Sequence, residues 1–219
     1  MKKRMTNNDQ ERLSTREYIL QLLKTRGALS TKDLTEELGI TVMAVRRHIQ
    51  SLERDNLITS RTIRQSMGRP TAVYALTEHA QGFFPRKYHT LTLELLDELE
   101  DHFGEAAVER LFEGRKEKML KKYDSSMQGK DIADRISLLA DIQNENGYMV
   151  ELEKISDDEY FLKEHNCPIE QVATKYQHAC QCELQLFKSL LGDADVSRTE
   201  CLAKGGQRCT YSIKKRKKQ

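Results

Sequence analysis

Ser14 and Glu17 have the spacing of a capping box. Apolar Ile19, Leu20, Leu22 and Leu23 follow and Gly27 closes the run, which predicts a helix over residues 15–26. Ser30 or Thr31 can cap a second helix, with Leu34 and Leu38 on one face and Gly39 as its stop. A third helix follows at once. Thr41 can cap it, and Val45, Ile49 and Leu52 recur at i, i+4 and i+7 and so face a core, which leaves Thr41, Met43, Ala44, Arg46, Arg47 and Gln50 pointing largely outward. Beyond Asn56 the period falls to two: LITSRTIR and TAVYALT read as strands around the turn SMGRP. Three helices followed by a basic hairpin form the winged helix-turn-helix pattern, whose third helix enters the major groove while the hairpin reaches flanking backbone or minor groove.

Residues 88–123 are strongly helical in pattern, with Leu91, Leu95, Leu96 and Leu99 as one stripe and Gly104 as a break before Ala107, Leu111 and Met119. A stripe so rich in Leu needs a partner, and a homodimer seam is favoured over packing within its own domain because helix-turn-helix proteins read paired half-sites. DSSMQGK, residues 124–130, reads as a loop. A helix near 131–144, strands near 148–155 and 160–164, a helix over 169–191 and a closing hairpin at 196–213 complete the chain. The expected fold is mostly α, of α+β type. Its parts are a winged helix-turn-helix domain (1–87), a helical dimerisation region (88–130), and an α+β sensor domain with a basic tail (131–219).

Charge sharpens this division. The 219 residues carry a net charge of only +2, yet residues 1–90 hold 16 basic and 9 acidic side chains, residues 91–213 hold 15 and 25, and the tail from Lys214 to Lys218 adds five more cations. A basic head suits the phosphate backbone of double-stranded DNA, because phosphate contacts supply most sequence-independent affinity. The tail is a solvated end or a small addition to that affinity. No apolar run approaches the ~20 residues of a membrane span, and MKKRMTNNDQER lacks the apolar core of a secretory signal, so a cytoplasmic protein is expected. A P-loop, G-x-S-x-G, H-E-x-x-H and G-x-G-x-x-G are all missing from the sequence, so the chain is not read as an enzyme.

Candidate chemistry falls in two places. On the third helix, Arg46 and Arg47 can reach base edges or phosphates, since a guanidinium fork matches guanine O6 and N7, and Gln50 could pair with adenine. Arg61, Arg64 and Arg69 on or beside the wing suit phosphate or minor-groove contact, next to Gly68 and Pro70 in the turn. The second place is sulfur. Cys167, Cys180, Cys182, Cys201 and Cys209 are all the cysteines of the chain, clustered within 43 residues, a pattern that in a reducing compartment points to metal or redox chemistry rather than disulfides. Their spacing is neither that of ferredoxins nor the C-x-x-C of zinc ribbons, so a site must assemble from a helix start, a helix face and a hairpin. Four thiolates hold a [4Fe-4S] or [2Fe-2S] cluster or a tetrahedral zinc ion. His165 and His178 flank the first two cysteines and read as surface residues.

STKDLTEELGITVMAVRRHIQSLERDNLI followed by GRPTAVYALTEHAQGFFPRKYHTL resembles the winged-helix repressors of the ArsR and DeoR-like class. HNCPIEQVATKYQHACQCEL and TECLAKGGQRCTYSI look like the C-terminal region of the SufR-type regulators of iron-sulfur cluster biogenesis, and the resemblance runs from about Ser14 to Ile213. It implies a regulator that represses cluster-biogenesis genes and senses a cluster held by Cys167, Cys180 and Cys209. In the cyanobacterial pattern a His stands fourteen residues beyond the second Cys; Ala194 occupies that position here. Cys201 or Cys182 is left as fourth ligand, with Cys201 preferred because it can face Cys209 across the hairpin. A structural zinc or a thiol-oxidation switch is the alternative reading, and a small-molecule-binding regulator a lesser one.

Overall fold

The computed structural model describes residues 13–64 and 69–216. The N-terminal MKKRMTNNDQER, residues 65–68 with Ser66, Met67 and Gly68 of the SMGRP turn, and Lys217 and Lys218 of the tail lie outside them. The chain divides into two compact units, residues 1–86 and 87–219.

In the first unit, α1 (Thr15–Arg26), β1 (Leu29–Ser30), α2 (Thr31–Leu38) and α3 (Val42–Arg54) precede β2 (Ile58–Ile63) and β3 (Thr71–Leu76). Both of the first two helices open on complete capping boxes, Ser14 with Glu17 and Ser30 with Asp33. Each box satisfies two backbone N–H groups that have no partner inside the helix. Gly39, left-handed at φ 65°, ends α2 and lets the chain turn straight into α3. Ile19, Leu23, Leu34, Val45, Ile49 and Leu52 meet in one core. β1, two residues long, pairs antiparallel with β3 and makes the hairpin a three-stranded sheet. The sequence pattern did not predict β1, since two residues carry no period.

The second unit opens with α4 (Tyr88–Phe103) and α5 (Glu105–Met127), separated at Gly104. The expected loop at 124–130 is a correction: α5 continues to Met127 because Tyr123 and Met127 are buried on the same face as Phe112. α6 (Ile132–Glu145), capped by Asp131, leads to β4 (Val150–Lys154) and β5 (Glu159–Glu164). The predicted helix over 169–191 is two, α7 (Glu170–Lys175) and α8 (His178–Leu190). Tyr176 breaks it: its ring is buried and its hydroxyl donates to Asp97 on α4 at 2.6 Å, and this anchorage prevails over helix continuation. β6 (Ala194–Glu200) and β7 (Cys209–Lys215) close a four-stranded antiparallel sheet of order β4-β5-β7-β6. The inward phase of β5 is Tyr160, Leu162 and Glu164, and that of β7 includes Cys209, Tyr211 and Ile213. α8 packs on this face, with the Phe187 and Tyr211 ring centroids 4.8 Å apart.

The expected single leucine stripe also divides. Leu96 is buried and Leu99 packs beside it, whereas Leu91 and Leu95 are 53% and 62% exposed. At 3.6 residues per turn Leu91 and Leu96 are about 140° apart around α4, with Leu95 and Leu99 between them, so the stripe is wider than the face that packs inward. Among the described residues no helix is long and apolar enough to cross a membrane.

Leu34 is fully enclosed, so Leu34→Ala is expected to destabilise the first unit by about 2–5 kcal/mol. Chemical denaturation followed by circular dichroism measures this, and a change below about 1 kcal/mol would contradict the packing described.

Candidate nucleic-acid interface and metal centre

The residues proposed to read DNA are all exposed in the first unit. Met43, Arg46, Arg47 and Gln50 project from α3, opposite buried Val45, Ile49 and Leu52. Thr41 is exposed as well, but its hydroxyl accepts from the Ala44 N–H at 3.3 Å and so caps the helix. Arg61 lies on β2, Arg64 follows it, and Arg69 precedes β3, all exposed. One helix face and one hairpin therefore carry five guanidinium groups to solvent, while the α1 arginines Arg16 and Arg26 are engaged by Asp55 and Glu37.

In the second unit all five cysteines are free thiols; Cys167 is half-buried and the other four are buried. Cys180 and Cys182 leave α8 in different directions. Cys182 turns to α5, where its thiol donates to Glu113 at 3.3 Å. Cys180 belongs to the face that meets the sheet, and its thiol interacts with that of Cys201. Cys201 and Cys209 flank a loop made by a short 3-10 turn (Leu202–Lys204) and Gly205 and Gly206. Gly206 donates to the Cys201 carbonyl at 2.9 Å, and a Cβ on it would lie 2.9 Å from that same oxygen, so only glycine closes the loop without displacement. The Leu202 N–H donates to the Cys209 sulfur at 3.4 Å, and the Ile169 N–H to Cys167. Such bonds favour thiolate and tune bound clusters.

Acids accompany the thiols. Glu164, fully buried, is the register partner of Cys209. Its Oε1 accepts from Gln143 Nε2 at 2.7 Å. Glu183, one turn beyond Cys180, accepts from the Tyr211 hydroxyl at 2.8 Å and from Tyr148. Arg198 on β6 donates to the Cys180 carbonyl at 2.9 Å and is the cationic neighbour of both carboxyls. Burial, and then Glu183, pushes the Glu164 carboxyl well above the usual carboxylate range; burial likewise raises Glu183. Burial raises the Cys167 thiol to about 11, Cys180 to about 12 and Cys182 to about 11, and moves Cys209 in the same direction. Without a metal these groups hold protons; a soft cation would take their place, because thiolate is the ligating form.

The histidines stand apart from the sulfur. His165, just beyond β5, pairs with Glu151 at 3.1 Å, and His178 with Glu109 at 2.8 Å. Glu105, Glu109 and His178 are, among the described residues, the one set of three potential metal-ligating groups within 4.8 Å of one another. Ala194 is buried at the start of β6. Cys167 also lines a cavity of about 480 Å³ with Leu96, Phe112, Arg115 and Ile169. Sequence reasoning missed Glu164 and Glu183. The signal was present for Glu164, a carboxylate in phase with Tyr160 and Leu162 in the string YFLKE.

Residues 15–67 match the family profile of the HTH domain, about a quarter of the chain. The match covers the three helices and the first strand of the wing described above. No curated protein matches the sequence. Solved structures similar to the chain include the adhesin competence repressor AdcR from Streptococcus pyogenes, at 23% identity over 56% of this chain and 87% of that one, TM-score 0.30. They include Lactococcus lactis ZitR in complex with DNA, at 26% identity over 52% and 74%, TM-score 0.28. NMB1585, a MarR family regulator from Neisseria meningitidis, is 19% identical over 64% and 81%, TM-score 0.29.

The raised thiols fix a pH dependence. The unfolded chain gives up these protons near an ordinary thiol value of 9.0 and the folded chain only near 11 to 12, so as pH rises through that window the folded state holds the extra protons and loses stability. Thermal midpoints of reduced, metal-free protein should fall from pH 8 to 11, less steeply in Cys180→Ala; a flat profile in the parent would contradict the burial of these groups.

Proposed function

We propose that the chain is a DNA-binding transcriptional regulator whose C-terminal unit holds a metal centre on cysteine thiolates, and that occupancy of the centre sets its affinity for operator DNA. The observation that carries this reading is the gathering of Cys180, Cys201 and Cys209, from α8 and the β6–β7 loop, in the core of a protein that also has a helix-turn-helix domain. Cys167, three residues before α7, is the further thiol, and the engagement of Cys182 with Glu113 weighs against that residue. Cys201 is thus preferred over Cys182.

Two occupants suit this donor set. A single zinc ion bound to four thiolates at 2.3 Å needs sulfurs about 3.8 Å apart. No three of these thiols lie within 4.8 Å among the described residues, a spread that favours an iron-sulfur cluster, which spaces its terminal thiolates more widely. The adjoining carboxyls favour zinc, which accepts mixed sulfur and oxygen ligands. Either one would supply positive charge that replaces several thiol protons at once and ties α8 to the hairpin. The repressing sense and cluster-biogenesis targets follow from the resemblance to SufR-type regulators.

On the DNA side, Arg46, Arg47 and Gln50 read the major groove, with Met43 and Thr41 at the helix start, and Arg61, Arg64 and Arg69 hold the flanking backbone. The chain acts as a homodimer through the face bearing Tyr88, Leu91, Leu95 and Leu111, each more than half exposed. An apolar face of this kind on two long helices suits a self-complementary seam.

Arg46→Ala should weaken binding to an operator duplex by about 1–3 kcal/mol and relax base preference, whereas Arg64→Ala should weaken all sequences alike and lower the salt slope. Electrophoretic titrations at fixed salt measure both, and equal affinities for parent and variants would overturn the interface. For the centre, anaerobic protein reconstituted with iron and sulfide, or with zinc, should carry metal that Cys201→Ser lacks and Cys182→Ser retains. Visible absorption with iron and sulfide identifies a cluster; zinc without colour identifies the single ion; no metal in the parent protein removes the sensing role.

A further inference from the structure

The cavity of about 480 Å³ in the second unit has no part in the account so far. Three segments line it. On α4, His89, Thr92 and Leu96 recur at i, i+3 and i+7 and so share one face. On α5, Leu111, Phe112 and Arg115 lie within about one turn, and the segment from Cys167 to Val172, which enters α7, forms the third side. The walls run from buried Leu96, Phe112 and Val172 to exposed Tyr88 and Leu111, so the space is enclosed and apolar at one end and open at the other. Its volume falls in the range of about 300–1,000 Å³ in which proteins hold small molecules.

One group on these walls calls for an anion. Elsewhere in the second unit Arg135, Arg208 and Arg216 each pair with a carboxylate, and Arg198 donates to the Cys180 carbonyl. Arg115, exposed on the cavity lining, makes no hydrogen bond or ion pair among the described residues. Its electrostatic neighbours on α8 are Cys182 and Glu183, on which burial favours the protonated form, so neither balances it in the metal-free protein. A guanidinium fork matches a carboxylate, and the bond gains strength beside apolar walls that exclude water. Glu170 stands on the same lining and disfavours a second negative charge. An apolar body with one anionic group fits these walls; a polyphosphate does not.

We propose that this cavity binds a small organic acid, an alkyl or aryl body ending in a single carboxylate that pairs with Arg115. The body lies against Leu96, Phe112, Ile169 and Val172, and the carboxylate sits toward the open end. This goes beyond the metal reading and does not need it: Cys167 contributes to the wall, and no metal enters the site. Tyr88 and Leu111 also belong to the face assigned to the dimer seam, which makes a side chain of a second copy the rival occupant.

The test is isothermal titration of reduced, metal-free protein with hexanoate, octanoate, decanoate, 2-naphthoate and decanol, with circular dichroism to confirm folding and sedimentation velocity to report self-association. Alkanoate binding should tighten by roughly three- to fourfold per added methylene, as expected when each one is buried. Tighter binding of 2-naphthoate than of decanoate identifies an aryl body, and uptake in either series supports the site. Arg115→Gln should weaken the acids by about tenfold or more while leaving decanol within about twofold, and Arg115→Lys should recover part of the loss. Cys167→Ser should bind decanoate as the parent does. Thr92→Trp, which fills the cavity from an exposed position, should block decanoate. A parent protein that binds none of the acids, or an Arg115→Gln protein that binds them unchanged, would overturn the proposal. No uptake by the parent together with weaker self-association in Thr92→Trp would assign the cavity to the second copy. None of these failures touches the thiol centre, whose metal uptake is measured separately.

Discussion

The second unit is governed by the need to bury sulfur and carboxyl groups together without burying their charge. Cys180, Cys201, Cys209, Glu164 and Glu183 lie between α8 and one face of the sheet, with Arg198 as their cationic neighbour. Ionised together in a low-dielectric interior they would repel one another at a cost that Arg198, with Arg115 near Glu183, does not offset. The cluster thus has two stable conditions, protonated without metal or deprotonated around one. Proton and metal compete for the same atoms, and binding a metal must release protons. On the proposed reading, this competition is what would make the region a sensor rather than ordinary core.

α8 carries the consequence outward. One of its faces presents Cys180, Glu183 and Phe187 to the sheet, and another presents Cys182 to Glu113 on α5. His178 at its start pairs with Glu109, and just before it Lys175 and Tyr176 bond to Asp97 on α4. A shift of α8 on loading or losing a metal would therefore be felt by the two long helices whose exposed leucines form the proposed dimer seam. An effector moves such an equilibrium only by its differential affinity for the two arrangements, so the metal must bind one dimer geometry better than the other.

The first unit was legible almost residue by residue, because local signals coincide there: complete capping boxes at Ser14 and Ser30, a left-handed Gly39, and a hydrophobic repeat at Val45, Ile49 and Leu52. The second unit was legible in its order of elements but not in its breaks. α5 runs on to Met127 and the helix at 169–191 stops at Tyr176 for tertiary reasons, the burial of Met127 and the bond from Tyr176 to Asp97, which no local window contains. The divergence of Cys180 and Cys182 followed from helical geometry. The convergence of Cys180 with Cys201 depends on how α8 lies on the sheet, and the placing of Glu164 beside a thiol on a strand register that pairs it with Cys209. Long-range register is what one sequence does not state.

In the proposed mechanism, occupancy of the thiol centre is read at the duplex. It is tested most directly by the dissociation constant of one protein preparation for an operator duplex obtained by in vitro selection, measured at fixed salt and pH before and after metal loading. The account predicts a change of at least about tenfold, or 1.4 kcal/mol of coupling, reversed on chelation. Equal affinities in the two states, with the metal shown to be bound, would contradict it.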